Sequence, residues 1–238
     1  MIPSRTRGDA LELLDQPNLD FRELCTSLRD VGRLNRWFGG AQAIVSEVAR
    51  IVKQRGLTGT ITVLDIGTGG ADIPRRLIRW GARHGLSVRV VACDRHEQIV
   101  TAAAAFSAGS EAISILRADA LALPLLPGHF DFVTCSLMLH HLADDDAVTL
   151  LERLRDAPRH ALIVCDLVRS RRARAGVWLA AHLVCRSRVT RHDGPLSVLR
   201  SFTVDELRAL SHRAGCAEML WFRRRNFRVV GVLEKGLR

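Results

Sequence analysis

The stretch Val63–Pro74, VLDIGTGGADIP, decides how this chain reads. An apolar run ends in Asp65, a glycine-rich turn covers Gly67–Gly70, and Asp72 opens a helical pattern. Strand–glycine turn–helix units usually rest a phosphate on the helix N-terminus. The acids on both sides argue against one here. Of the GxGxxG dinucleotide fingerprint only the first two glycines, Gly67 and Gly69, are present, and Asp72 stands at the third position. Two like charges about 4 Å apart repel by about 4 kcal/mol at an effective dielectric of 20. The turn therefore suits a ligand that is cationic where it meets the glycines, which serve close backbone approach instead of anion binding.

Working outward, short apolar runs alternate with helical ones. Strands are expected at Ile61–Ile66, Ser87–Asp94, Ile113–Ala118, Phe130–Ser136 and His160–Asp166, with helices near Asp72–His84, Glu97–Ala108 and Asp144–Asp156. Such alternation predicts a doubly wound, mostly parallel α/β sheet of Rossmann-like type, covered on both faces. Upstream, Leu11–Arg55 reads as helical, broken at Asn35–Gly40 (NRWFGG), so residues 1–56 are expected to form a helical N-terminal cap. Downstream, Thr203 three residues before Glu206 is a capping-box pattern. The runs AEMLWF and FRVVGVL, joined by RRRN, predict a closing antiparallel hairpin. Residues 57–238 would then be the ligand-binding domain, with an insertion near 167–200.

The 238 residues are 47% hydrophobic, enough for one full core. The formal charge of +10 comes almost wholly from Arg and is spread along the chain, which reads as a solvated surface more than a nucleic-acid stripe. Six cysteines lack CxxC or Cys/His zinc spacing and read as small buried hydrophobes in a reducing compartment. Met1–Ala10 has no apolar leader core and the apolar run Gly176–Cys185 is too short to span a bilayer, so a cytoplasmic location is expected.

Two further acids extend the opening argument. Asp94 ends the second strand, 27 residues after Gly67, where a carboxylate can accept both ribose hydroxyls. Asp119 follows the third strand, placed to accept from an adenine amine, with the Ala120 N–H donating to the ring. Asp65, Asp94 and Asp119 thus line the carboxyl edge of the sheet, where open α/β sheets bind ligands. S-adenosylmethionine, with an ammonium, a sulfonium, a ribose and an adenine, fits that row.

The ordered motifs DIGTGGAD (65–72), ACDRH (92–96), RADALALPLLPGHFDFVTCSLMLHHL (117–142) and RHALIVCD (159–166) resemble those of class I S-adenosylmethionine-dependent methyltransferases. LNRWFGG (34–40) resembles a segment of quinone-biosynthesis methyltransferases, and Ser187–Leu207 is similar to bacterial enzymes that tailor lipid-like or polyketide molecules. The resemblance implies that Asp65, Gly67, Thr68 and Gly69 meet the methionine end, Asp94 and Arg95 the ribose and adenine, Asp119 and Ala120 the adenine, and that Ser136 lies beside the sulfonium. Ala71 departs from a glycine common in that family.

A hydroxyl or phenol acceptor would need a base. Candidates are His140 or His141, of which adjacent residues would let only one face the pocket, and the pair His192–Asp193. Asp193-Gly194-Pro195 also reads as a turn. Trp37, Phe38 and, in the apolar segment with basic flanks at Arg169–Arg191, Trp178 are candidate contacts for a greasy substrate. That segment reads equally as an ordinary packed helix, and as one that could touch a membrane surface. Asp144–Asp146 reads as a helix first turn, not a metal site. The expectation is methyl transfer to a small apolar or aromatic molecule, with oxygen ahead of carbon. The rivals are an RNA-binding or RNA-modifying protein, for which Trp221–Arg228 (WFRRRNFR) offers the only aromatic–basic stretch, and a non-catalytic S-adenosylmethionine-binding protein.

Overall fold

The computed structural model describes residues 7–8, 10–16 and 18–236. The leader reading of residues 1–6 and the outermost ends of the two expected segments lie outside them. Seven strands form one sheet in the order β3-β2-β1-β4-β5-β7-β6. They are β1 (Thr60–Ile66), β2 (Ser87–Asp94), β3 (Ile113–Arg117), β4 (Phe130–Ser136), β5 (Pro158–Leu167), β6 (Leu220–Arg224) and β7 (Arg228–Glu234). The first five are parallel, and β7 runs antiparallel to both β5 and β6. The central strands are buried on both faces, which is why they read as unbroken apolar runs rather than alternating ones.

Helices α1 (Phe21–Trp37), α2 (Gly40–Arg55), α3 (Asp72–Arg83), α4 (Glu97–Phe106), α5 (Asp144–Arg155), α6 (Arg171–Val184), α7 (Arg188–Arg200) and α8 (Val204–Arg213) complete the molecule. One face of the sheet packs on α2 and α3 through Ile44, Val48, Ile51 and Leu77, the other on α5 and α8 through Leu150, Leu151, Leu154 and Leu207. Asp20 caps α1 by accepting from the Arg22 and Glu23 N–H groups. Gly56 ends α2 in the left-handed region, and the Thr203–Glu206 capping box opens α8 as its spacing predicts. The chain winds from β1 outward through β2 and β3, then returns to place β4 on the other side of β1. Ile66 and Cys135 are register partners, so the loops after β1 and β4 leave the sheet side by side at the switch point.

Two expectations are corrected. The described residues of 11–20 form no α-helix: a single 3-10 turn, Leu13–Asp15, ends at an extended Gln16 (ψ 133°), as a residue before proline prefers. Asp193-Gly194-Pro195 is no turn either, but the middle of α7. Ser187 caps that helix, and Gly194 lets α6 approach: a Cβ there would lie 3.2 Å from Val177 Cγ1. Pro195 removes one helical donor, yet α7 continues because its neighbours α1 and α6 hold it.

No helix among the described residues is long and apolar enough to cross a membrane. Two of the three aromatic residues of WFRRRNFR turn inward, and the third, half-buried Phe222, packs against the sheet core with the Arg224 guanidinium over its ring. The buried Trp221 indole donates to Ser211 Oγ (2.7 Å), and Phe227 and Arg228 turn into the cavity described below.

Candidate active site

One continuous cavity lies over the carboxyl edge of the sheet, floored by the loops after β1, β2, β3 and β4 and roofed by α1, α6, α7 and the turn Leu13–Asp15. Its two ends are built differently. At the first, the turn after β1 runs through Gly67 (φ 64°) and Gly69 (φ 52°), conformations that glycine adopts without strain. A Cβ at Gly67 would sit 2.9 Å from Met138 Sδ, so glycine also lets the loop after β4 close down. Ala71 takes φ 54° as the N-cap of α3, where glycine would be relaxed, at a cost of about 1–2 kcal/mol.

Asp65 is buried, accepting from Thr68 Oγ1 (2.7 Å) and Thr134 Oγ1 (2.6 Å). Burial outweighs those bonds and pushes its carboxyl up to about 7, with the nearby Asp72 and Asp94 adding to the rise. Asp72, in the first turn of α3, is likewise raised by burial despite its bond from Asn35 Nδ2 (3.3 Å). Asp94 braces the turn, accepting from the Gly69 N–H (3.2 Å) and the His96 N–H (3.2 Å). Exposed Asp119 accepts from the Leu121 N–H (2.9 Å). Ser136 Oγ, buried at the end of β4, has no protein partner, and the next residue, Leu137, is held at φ 55°. An orphan hydroxyl, a carboxylate poised to ionise beside a cation, and glycines at closest approach fit S-adenosylmethionine. Asp65, Thr68 and Ser136 would hold its methionine end, Asp94 and Arg95 its ribose, and Asp119 and Ala120 its adenine.

At the second end the loop after β4 folds into a 3-10 turn, Leu139–His141, and both imidazoles line the cavity with ring centroids 4.3 Å apart. The expectation that only one could face it is corrected: in the tight turn the two rings lie side by side, tilted 34° to one another. His140 Nδ1 lies 2.6 Å from Asp166 Oδ1, and His141 Nδ1 lies 3.0 Å from Asp15 Oδ2. Both Nε2 atoms turn toward the buried Glu12, at 3.7 and 3.8 Å. Glu12 Oε1 also accepts from Ser197 Oγ (2.8 Å). Arg200 steadies this turn by donating to the carbonyls of His140 (3.2 Å) and His141 (3.0 Å). Burial would lower the His141 pKa, but the Asp15 hydrogen bond and the Glu12 charge outweigh it and raise it. Burial likewise opposes ionisation of Asp166, yet the His140 charge and hydrogen bond hold its carboxyl below the usual range.

Glu12, His140 and His141 are the one group among the described residues whose donor atoms converge as a metal would need, all within 4.8 Å. Asp144–Asp146 form the first turn of α5, with Asp144 and Asp145 paired to Arg7 and Arg213.

The other candidates separate. His192 stands outside the cavity, more than half exposed, its Nδ1 2.8 Å from Asp193 Oδ1. Asp193 faces inward, and its two carboxylate oxygens accept the Leu13 and Leu14 N–H groups (2.9 Å each), which ties α7 to the N-terminal turn. Phe38 lines the cavity; Trp37 and Trp178 turn to solvent, Trp178 stacked on His182. Gly176, Val177 and Ala180 are the part of α6 that meets the cavity. Sequence reasoning missed Glu12, Asp15 and Asp166. Asp166 ends a strand just as Asp65 and Asp94 do, so the same rule reaches it; nothing local marks the other two.

Residues 63–160 match the family model described as a methyltransferase domain. No curated protein matches the chain. Several solved structures share its fold. A SAM-dependent methyltransferase from Aquifex aeolicus superimposes with a TM-score of 0.58 at 17% identity over 91% of this chain and 99% of that one. A plantazolicin methyltransferase in complex with a triazolic desmethylPZN analogue and SAH gives 0.65 at 12%, over 91% and 98%. An O-methyltransferase family 2 protein from Planctomyces limnophilus in complex with apigenin gives 0.59 at 15%, over 92% and 63%.

Proposed function

We propose that this chain, which carries a class I S-adenosylmethionine-dependent methyltransferase domain, methylates an oxygen of a small, largely apolar, aromatic-type molecule. The observation that carries the reading is the pair of carboxylate-oriented imidazoles opening on the same cavity as Asp65 and Ser136. When bound, S-adenosylmethionine supplies a methyl group on a sulfonium, a carbon already activated for in-line displacement. With Nδ1–H donated to Asp166, His140 Nε2 carries a lone pair and takes the acceptor's O–H proton as the C–O bond forms. Asp166 stabilises the resulting imidazolium. His141, held by Asp15, flanks the same oxygen. Leu137, Val177, Ala180 and Phe227 give that end apolar walls and exclude water. Alignment of the two reactants supplies the larger share, up to about 7–11 kcal/mol.

On this reading the turn Leu13–Asp15 and α1, from the expected cap, and α6 and α7, from the expected insertion, form the acceptor's roof over the catalytic sheet, while α2 belongs to the sheet's own packing. The apigenin-bound neighbour supports oxygen over carbon and an aromatic acceptor. The test is incubation with methyl-labelled cofactor and a panel of phenols, quinones and polyketides. Label in an O-methyl product is expected. Label fixed on carbon would move the acceptor atom, and tight cofactor binding without turnover on any panel member or cell extract would leave a binding protein instead.

A further inference from the structure

S-adenosylmethionine is a zwitterion at its amino-acid end. The acids along the sheet edge answer its ammonium and sulfonium; its carboxylate needs a cation. Two arginines are among the described residues lining the cavity, Arg95 and Arg228. Arg95 is exposed beside Asp94 at the end of β2, on the ribose side, with its Nε 3.2 Å from His96 Nε2. Arg228 opens β7, at the other end, and is only 4% exposed. Its Nη2 donates to Asn35 Oδ1 (3.0 Å), and Asn35 Nδ2 donates in turn to Asp72, so the guanidinium is tied to the first turn of α3. Its Nε and Nη1 have no partner.

Asp72 answers the guanidinium's charge through space, but two idle buried donors remain costly unless an acceptor completes them. Asn35 uses one of the two Nη2 hydrogens. The other can join a neighbouring guanidinium nitrogen in the fork that matches a carboxylate. Gly40 is what lets the guanidinium lie there: a Cβ would stand 3.2 Å from Arg228 Cζ and 2.8 Å from Asn35 Oδ1. Gly40 is also the first residue of the 16-residue helix α2, whose N-cap, Gly39, offers no side-chain acceptor, so the helix adds its own positive field.

We propose that Arg228, oriented by Asn35 and admitted by Gly40, binds the methionine carboxylate of S-adenosylmethionine. The proposal rests on the cofactor reading above. The probes are S-adenosylhomocysteine, which has the carboxylate, and 5′-deoxy-5′-methylthioadenosine, which lacks the whole amino-acid end. Calorimetry on the wild type, Arg228→Met and Arg228→Lys measures both, with thermal melting reporting the fold. Arg228→Met is expected to weaken S-adenosylhomocysteine by about 10–100-fold and leave methylthioadenosine unchanged, with Arg228→Lys recovering part of the loss. Equal affinities in wild type and Arg228→Met, or an equal loss for both probes, would overturn the assignment. A wild type that binds neither probe would remove the cofactor reading itself, and this proposal with it.

Discussion

The two ends of the cavity are held differently. At the cofactor end each strand-end acid takes a bond from the loop that follows its own strand, Asp65 from Thr68, Asp94 from His96 and Asp119 from Leu121, and neighbouring elements add Thr134 and Gly69. At the acceptor end each is placed by a distant part of the chain: His140 by Asp166, His141 by Asp15, Glu12 by Ser197, the turn Leu13–Asp15 by Asp193. Local bonds anchor the three strand-end acids within the sheet and its loops, and only Asp72 and Arg228 reach across to Asn35 of α1. Remote placement makes an acceptor site whose geometry depends on how α1, α6, α7 and the N-terminal turn settle on the sheet, and which can be reshaped without touching the strand-end acids.

That contrast can be broken at several points. The largest effect is expected at the base. His140→Ala should lower kcat by about 10²–10⁴-fold, with cofactor affinity intact by calorimetry; Asp166→Asn should follow it, because the imidazole loses the partner that sets its tautomer. A matching loss of cofactor affinity would show that the two ends are not separable. Next, Asp94→Ala should weaken S-adenosylhomocysteine by about 1–3 kcal/mol while single-turnover rates at saturating cofactor stay near wild type.

Asp193→Ala leaves two backbone N–H groups of the N-terminal turn without acceptors and should destabilise by about 1–3 kcal/mol. It should also lower turnover through misplaced Glu12 and Asp15. His192→Ala, on the solvent side of the same helix, should change stability by no more than about 0.5 kcal/mol and leave kcat unchanged. Equal effects of the two would deny Asp193 its tie to the turn.

Protonation sharpens the same contrast. At the cofactor end, Asp65 is raised to about 7, so the folded ligand-free protein holds a proton that the unfolded chain releases near 3.8. Its contribution therefore erodes stability as pH rises from about 4 through 7. A cationic ligand reverses the preference: cofactor affinity should climb between pH 6 and 8, with proton release seen as a buffer-dependent binding enthalpy, and Asp65→Asn should flatten that slope. At the acceptor end, the Asp15 hydrogen bond and the Glu12 charge raise the His141 pKa, so its free base forms at higher pH than for an ordinary histidine. Asp15→Asn removes the partner that holds it up and should lower the His141 pKa, read by NMR titration of its ring. An unchanged His141 titration would deny Asp15 that role.

The same division decides what was legible in the sequence. The alternation of strands and helices, the glycine turn and the row of strand-end acids are all local, and residues 60–136 could be read almost to their boundaries. Asp166 was visible by the same strand-end rule, but its purpose lies in His140, 26 residues away. Glu12 and Asp15 sit in a segment that reads as helical and is not, held by Asp193, Ser197 and Arg200 of α7 about 180 residues later. Asp193-Gly194-Pro195 has strong turn chemistry, and tertiary packing overrode it. Trp37 and Trp178 are the kind of residue a greasy pocket would want, yet on each helix it is smaller neighbours that face inward, because α6 approaches through Gly176, Val177 and Ala180.

The last strand in sequence, β7, is an interior strand in space, wedged between β5 and β6. A chain leaving the ribosome can zip β1 through β5 together long before residues 228–234 emerge, but β6 has nothing to pair with until they do. Because Arg228 opens that late arrival, a nascent chain would acquire a grip on adenosine first and on the amino-acid tail only at the final step of closure.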